Sequence, residues 1–188
     1  MGESIYEVLK RHEGVVPHMY LDTTGNVTVG VGFLLARKGD VGLYDWDDMK
    51  AAEDDWQRLS DLADYTTVHN KTAGYYETLT EARLLDVDSM LAVKIGTFER
   101  LLARMGFPVS GFEWPLYQVC IDIAFQVGAA GLVNGFPAFI RAVRARDWVK
   151  ASQECTVKQA SPARNAWRTA TVLKMVTPKH RPCQKCGK

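Results

Sequence analysis

Three polar residues near the start of the chain, Glu13, Asp22 and Thr28, carry side chains suited to acid–base hydrolysis. The segment ESIYEVLKRHEG has the pattern of a short helix, and Glu13 is its next-to-last residue. The Glu13 carboxylate therefore lies at the negative end of the helix dipole. Because that field disfavours the charged form, Glu13 is a candidate for a carboxylic acid that protonates a departing sugar oxygen. A solvated surface glutamate is the alternative interpretation of this residue taken alone.

Asp22 and Thr28 lie on either side of a glycine-containing turn. Alone, DTTG is a turn in which the aspartate binds backbone amides two residues on. Opposite Glu13, Asp22 would instead be the base that orients a water, and the Thr28 hydroxyl would hold the same water. Gly30 and Gly32 would keep the face of the hairpin bare, so that a bulky polymer could approach the backbone. Each signal is weak by itself, but the combined spacing E-x8-D-x5-T-x-G-x-G is specific.

A helix followed by a hairpin must position these side chains. Ser4 and Glu7 have the spacing of a capping box, and Gly14 supplies a helix stop. In TVGVGFLL, valines alternate with threonine and glycine, which predicts a strand, and TTGN has the composition of a hairpin turn.

The remainder of the chain is expected to be helical. Residues 46–64 form an acidic amphipathic stretch, and a helix of about seven turns is expected to start at an N-cap, Thr80. Further helices are predicted near residues 114–127, 137–146, 147–156 and 162–175.

These elements predict an α+β fold in two lobes joined by the long helix, with a cleft between them. The N-terminal lobe would carry the β-hairpin over residues 14–80. The C-terminal helical lobe would cover residues 81–176 together with the helix at 3–13, and residues 177–188 would form a basic tail.

Charge is divided unevenly along the chain although its total is only +1. Residues 1–137 carry a net charge of −9 and residues 138–188 carry +10. The basic part could meet an anionic partner, such as nucleic acid, a membrane surface or an acidic cell-wall polymer, or it could complement the acidic part within the folded protein. We expect attraction to the envelope, which charge reversal at Lys174, Lys179, Arg181 and Lys185 would test.

The four cysteines fall into two groups. Cys120 and Cys155 lie in apolar segments and are expected to be small buried hydrophobic residues. Cys183 and Cys186 form a CxxC near His180, which leaves a zinc site, a local disulfide or free thiols as alternatives. Since a structural zinc site takes four ligands and no second CxxC exists, a metal is the weaker of these, and no cofactor is expected.

The segment HEGVVPHMYLDTTGNVTVGVGFLL resembles the active-site segment of the phage-type lysozymes, glycoside hydrolase family 24. IDIAFQVGAAGLVNGFPAFIRAVRARDWVKAS is similar to the second-lobe segment of that family, with its Phe-Gln-x-Gly and Arg-x-Trp features. SPARNAWRTATVL is similar to its closing Pro-x-Arg helix. The resemblance covers most of the chain in order, except residues 36–82 and 177–188.

This resemblance implies a lysozyme-like fold and a muramidase, which hydrolyses the β-1,4 bond between N-acetylmuramic acid and N-acetylglucosamine with inversion. It implies that Glu13 is the acid, that Asp22 activates or positions the water, and that Thr28 assists. Inversion would need the two carboxyl groups to stand roughly 6.5–9.5 Å apart. It also implies six residues that bind substrate or line the cleft: Gly30, Gly32, Leu34, Phe125, Gln126 and Arg164.

Several positions qualify the resemblance. It implies that Arg164 pairs with Glu13. Phe33 and Asp122 stand where relatives often have His and Asn, and the aspartate would add negative charge near the cleft. Trp114, Trp148 and Trp167 could stack on sugars, but their helical spacing beside apolar residues favours core packing.

Two other functions remain open from the sequence. One is a binding module that grips peptidoglycan without cutting it, and the other is a nucleic-acid contact made by the basic tail, for which no groove-reading element stands out. As an enzyme the protein would be a monomer acting on peptidoglycan glycan strands, without nucleic acid or a membrane span. Made in the cytoplasm without a signal peptide, it would reach the wall as a phage endolysin or as a delivered toxin, and a toxin would have delivery machinery and an immunity protein as partners.

Overall fold

The computed structural model describes residues 3–22, 25–66, 83 and 87–176. The described chain is mainly helical with one small antiparallel sheet, which confirms the α+β class. It divides into two compact units, Met1–Lys94 and Ile95–Lys188.

The first unit begins with helix α1, Ile5–Glu13. The Ser4 hydroxyl accepts a hydrogen bond from the backbone N–H of Glu7, so the predicted N-cap is confirmed. Gly14 ends the helix with φ 77°, a left-handed conformation that glycine adopts without a Cβ clash. Ile5, Val8 and Leu9 are buried, and this fixes Glu13 at the end of a packed helix.

A three-stranded antiparallel sheet follows α1, in the order β1 (Val16–Leu21), β2 (Val27–Gly30) and β3 (Phe33–Leu34). The pairing of β1 with β2 confirms the predicted hairpin. All four residues of β2 are buried, so both faces of this strand are covered, not only one as the alternation predicts. The β1–β2 turn therefore leads into a fully buried strand.

A 3-10 helix, Lys38–Leu43, and helix α2, Met49–Thr66, complete the part of the first unit before α3. Indole N–H groups tie this region to the backbone, since Trp46 donates to the carbonyl of Val41 and Trp56 donates to the carbonyl of Leu35. The acidic helix expected over residues 46–64 is thus present and begins at Met49.

Helix α3 runs over Val87–Arg104 and is shorter than expected. Thr80, its predicted N-cap, lies outside the described residues, but Arg83 forms an isolated antiparallel bridge with His18. The Arg83 carbonyl also accepts a hydrogen bond from the backbone N–H of Asp47. The prediction of a helix starting at Thr80 is wrong because the backbone at Arg83 pairs with a strand and a loop.

The described part of the second unit contains a 3-10 helix, Val109–Gly111, and four further α-helices: α4 (Trp114–Gly135), α5 (Pro137–Arg144), α6 (Trp148–Glu154) and α7 (Pro162–Leu173). Their positions confirm the helices predicted after residue 113. Gly128 interrupts α4 with φ 77°, directly after residue 127, where the predicted helix ends. Most of the buried residues of α4 lie before this break, and α4 packs against α5 and α7.

Helix α4 is apolar enough, by length and composition, to pass as a membrane span, with a mean hydropathy of 1.5. The sequence analysis expects no membrane span, and by length and hydropathy alone this helix is an exception. Over half of its apolar window is buried inside the protein, and the interruption at Gly128 leaves a continuous stretch, 114–127, shorter than the ~20 residues that a span requires. These features are those of a core helix.

Cys120 in α4 and Cys155 after α6 are free and buried, as predicted. Burial raises the pKa of the Cys120 thiol well above its usual range, because an apolar site disfavours the thiolate. Burial also raises the pKa of Cys155, which donates to the carbonyl of Ser152.

These thiols make stability fall at alkaline pH. Above about pH 8.5 the unfolded thiols lose protons that the folded thiols retain, so the unfolded state binds fewer protons and the free energy of unfolding decreases as pH rises. Cys120→Ala removes one such group and should flatten the slope between pH 8.5 and 10 by up to about 1.4 kcal/mol per pH unit. Urea unfolding at several pH values measures it. Val119→Ala, a core truncation without a titratable group, should lower stability and leave the slope unchanged, and equal slopes in all three proteins would contradict the prediction.

Candidate active site

Glu13 lies at the exposed C-terminal end of α1, as the sequence predicts. Two cations of the same turn bind carboxylates elsewhere: Lys10 contacts Glu7 at 2.7 Å and Asp88 at 3.1 Å, and Arg11 contacts Glu3 at 2.8 Å. Packing of α1 and its glycine stop thus present the Glu13 carboxyl at the junction between helix and sheet.

Asp22 is held at the end of β1 by Asn26. One carboxylate oxygen accepts the backbone N–H of Asn26 at 2.9 Å, and the other accepts its side-chain amide at 3.1 Å. The backbone N–H of Asp22 donates in return to the Asn26 carbonyl at 2.9 Å. Because three hydrogen bonds join the same two residues, the orientation of the carboxylate is fixed by the loop itself.

Thr28 is buried and belongs to the same network. Its hydroxyl donates to the Asn26 carbonyl at 3.1 Å, the oxygen that also accepts the backbone N–H of Asp22. With its proton committed, the hydroxyl oxygen keeps lone pairs that can accept a hydrogen bond. Asn26 therefore links the two residues that the sequence assigns to the water. Its own role was missed, although the asparagine of TTGN was visible as a turn residue.

The sheet register places Thr28 in a row of side chains across three strands. Thr28 is directly opposite Tyr20 on β1 and Leu34 on β3, and residues opposite each other in an antiparallel pair point to the same face. Leu34 is 55% exposed and Tyr20 is half-buried. The predicted site residues Thr28 and Leu34 are thus neighbours on one face, together with a tyrosine that sequence reasoning did not select.

Both candidate carboxylates affect the pKa of the Tyr20 phenol. Burial raises the pKa of its phenol, and the negative charges of Asp22 and Glu13 raise it further. Each of the two carboxylates therefore disfavours the ionised form of the same phenol. The phenol stays protonated at neutral pH and can donate a hydrogen bond there.

The two glycines of the hairpin differ in their surroundings. Gly30 has φ 66° and is buried, and a Cβ on it would lie 3.3 Å from the sulfur of Met90. Gly30 is therefore required by its backbone conformation and by the packing of α3, and it does not leave a bare surface for a polymer as the sequence suggested. Gly32 has φ 83° and is exposed, and no atom lies within 4 Å of the place that a Cβ would take, so its surface is open.

In the second unit, Arg164 is buried in an ion pair with Asp122. Its Nε and Nη2 donate to the Asp122 carboxylate at 3.1 and 2.9 Å. Arg168, which is fully buried, donates to the other oxygen at 2.6 Å. Two guanidinium groups therefore surround the Asp122 charge, so this aspartate does not add an uncompensated negative charge. The pairing of Arg164 with Glu13 stays a prediction, as does the spacing of the catalytic carboxyl groups.

Gln126 and Phe125, predicted to bind substrate, both contact this helical core. The side-chain oxygen of Gln126 accepts from Arg168 at 2.7 Å. The Phe125 ring meets Phe98 edge to face, with ring centroids 6.0 Å apart. Both side chains are half-buried, and their packing fixes their positions in the unit.

The tryptophans do not share one environment. Trp114 is 45% exposed and stacks on Tyr117 with centroids 5.4 Å apart, so the prediction of core packing is wrong for this residue. Its place at the first turn of α4, ahead of the buried stretch, explains the exposure. Trp148 and Trp167 are half-buried.

The zinc site that the sequence leaves open would use His180, Cys183 and Cys186, and these residues lie outside the described part of the chain. Lys179, Arg181 and Lys185, proposed for charge reversal, also lie outside it. Among the residues that the structure does describe, no group of three His, Cys, Asp or Glu side chains is arranged to hold a metal ion.

No protein-family model matches this chain, and no curated protein matches its sequence.

The buried ion pairs generate a prediction about stability. Asp122→Asn keeps the shape of the side chain but leaves Arg164 and Arg168 without the opposing charge in an apolar interior, which should lower the free energy of unfolding by about 3 kcal/mol. Urea unfolding measures the change. Asp147→Asn is the matched control, because Asp147 is an exposed N-cap and asparagine caps a helix equally well. A loss at Asp122 no larger than that at Asp147 would count against a stabilising role for the ion pairs.

Proposed function

We propose that this protein is a muramidase, a glycoside hydrolase with a lysozyme-like fold that cleaves the β-1,4 bond between N-acetylmuramic acid and N-acetylglucosamine in peptidoglycan. The proposal rests on the resemblance of residues 12–35 to the phage-type lysozymes. The observation that carries it is the hydrogen bonding of both Asp22 oxygens and of the Thr28 hydroxyl to Asn26, which orients two of the three motif residues.

In the proposed reaction Glu13 is the general acid. It donates its proton to the glycosidic oxygen as the bond to the anomeric carbon breaks, and the released sugar leaves with a free hydroxyl. Its place at the end of α1 supports this role, because an exposed carboxyl can reach a polymer that a buried one cannot. The Glu13 carboxylate that remains is reprotonated by solvent.

Asp22 is the proposed base. A water attacks the anomeric carbon from the opposite face and gives a proton to Asp22, so the anomeric configuration inverts. The Asn26 bonds orient both Asp22 oxygens, and a carboxylate, with about four acceptor positions, can bind a water in addition to the donors that orient it. Thr28 can accept the second hydrogen of this water, since its own proton is donated to the Asn26 carbonyl.

The second candidate is a peptidoglycan-binding module without hydrolysis. The observation that favours it is that the Asp22 carboxylate and the Thr28 hydroxyl are already hydrogen-bonded within the hairpin, as a purely structural turn would require. Release of soluble fragments by the wild-type protein separates the two candidates.

Glu13→Gln tests the acid. Because an amide cannot supply the proton, hydrolysis of purified peptidoglycan should fall at least about a hundredfold while the protein stays folded. A turbidity assay measures hydrolysis, and mass spectrometry of the fragments should show N-acetylmuramic acid at the new reducing ends. Glu7→Gln, which removes a carboxylate in the first turn of the same helix, should retain activity. Clearing of the wall by Glu13→Gln at the wild-type rate would refute the assignment.

Asn26→Ala tests the clamp on the proposed base. It removes the hydrogen bond from the side-chain amide to Asp22 and leaves the backbone hydrogen bonds, so kcat should fall about tenfold with little change in KM. The acidic limb of the pH–rate profile should move to higher pH, because a donor that stabilises the charged carboxylate is lost. Asn26→Gln should recover part of the activity, and the exposed Asn134→Ala should change neither quantity. An unmoved acidic limb would show that the asparagine serves only the turn.

A further inference from the structure

A cavity of about 520 Å³ lies wholly within the second unit. Its walls come from the turn between α5 and α6, the segment just before and at the start of α4, and the residues that follow α7. None of the residues proposed for hydrolysis lines it. Its volume is within the range of pockets that hold small organic molecules.

Three basic side chains converge on this cavity: Arg144, Arg146 and Lys174. Glu113 is the one acidic residue among those that line it, so the lining has a net charge of +2. Arg144 donates to the carbonyl of Gly106 at 3.1 Å, which fixes its guanidinium group beside the cavity. A concave surface with this charge favours an anion and, in particular, one with two negative charges.

The backbone at Arg146 gives independent support. Its φ is 55°, and it is the one residue other than glycine with positive φ in the part of the chain that the structure describes. Glycine or asparagine would adopt this conformation at lower cost, so an arginine here is not explained by the turn. Strained positions of this kind concentrate at functional sites, and here the strain places a cation at a cavity.

The rest of the lining is apolar and partly aromatic. Phe112 and Trp148 both contribute to it, together with Leu116, Val143 and Met175. Phe112 is held by an edge-to-face contact with Phe107, with ring centroids 5.2 Å apart. A ligand that fills the cavity would therefore combine an anionic head with a flat or apolar body.

We propose that this cavity binds a phosphate monoester carried on an aromatic or similarly flat body. Two arginines and a lysine suit the doubly charged phosphate better than a carboxylate, because guanidinium groups donate paired hydrogen bonds to its oxygens. Trp148 and Phe112 provide surface for the body. The site is independent of the proposed hydrolysis, and its test does not require that the protein cut peptidoglycan.

The first measurement is calorimetric titration of the full chain with five simple probes. Phenyl phosphate should bind in one-to-one ratio and about tenfold more tightly than inorganic phosphate, which lacks the ring, or benzoate, which carries one charge. The same phosphate could come from a nucleotide or from a polyol phosphate, so adenosine monophosphate and glycerol 3-phosphate are compared. The nucleotide should bind more tightly, and equal affinity for the two would contradict the proposed contact with the aromatic side chains.

Arg146→Gly separates binding from folding. It removes one cation and relieves the positive φ, so the unfolding midpoint in urea should stay the same or rise while the Kd for phenyl phosphate increases about tenfold or more. Arg141→Gln is the matched control, since Arg141 is exposed on α5 and does not line the cavity. It should leave Kd within about twofold.

Two results would overturn the proposal. One is the absence of saturable binding of phenyl phosphate to the wild-type protein. The other is an equal loss of affinity in Arg146→Gly and Arg141→Gln, which would show attraction to net charge and not to the cavity.

Discussion

The candidate site depends on one residue of a tight turn, Asn26. Its backbone and side chain hold both oxygens of Asp22, and its carbonyl oxygen receives the hydroxyl of Thr28. Without these hydrogen bonds the Asp22 side chain could adopt several rotamers. The entropy lost in ordering it would then reduce the free energy of substrate binding. A carboxylate fixed before the substrate arrives is a requirement for positioning a water, so the turn is as much a part of the proposed chemistry as the three residues of the motif.

The two motif carboxylates of the first unit and the paired charges around Asp122 in the second unit lie in different surroundings. In the first, the Glu13 carboxyl is exposed at a helix end, and Asp22 accepts hydrogen bonds from the backbone and side-chain amides of Asn26. In the second, Asp122, Arg164 and Arg168 are buried together, so that removal of the aspartate charge would leave the arginine charges uncompensated in the interior. Arg164, which the resemblance assigns to the substrate side, is therefore also a structural residue, and its substitution would alter the core as well as any site.

Local patterns predicted most of the elements, because their causes are local. Ser4, Glu7 and Gly14 predicted both ends of α1, and the break near Gly128 was visible in its glycine-rich segment. The predictions that failed depended on distant partners. The helix start at Thr80 was wrong because Arg83 pairs with His18, far away in the chain, and Trp114 was placed in the core although its position at the tip of α4 exposes it. Gly30 was predicted as open surface, whereas Met90 of α3 covers it.

The sequence by itself determined the α+β class, the helix–hairpin order and the positions of Glu13, Asp22 and Thr28 along the chain, since periodicity, capping and turn chemistry act over a few residues. Only the tertiary structure decided which side chains meet. The register that aligns Tyr20 with Thr28 and Leu34, the pairing of Asp122 with two arginines, and the convergence of Arg144, Arg146 and Lys174 on one cavity all join residues separated by turns or whole helices. Such contacts are set by the packing of complete elements, and spacing along the chain does not encode them.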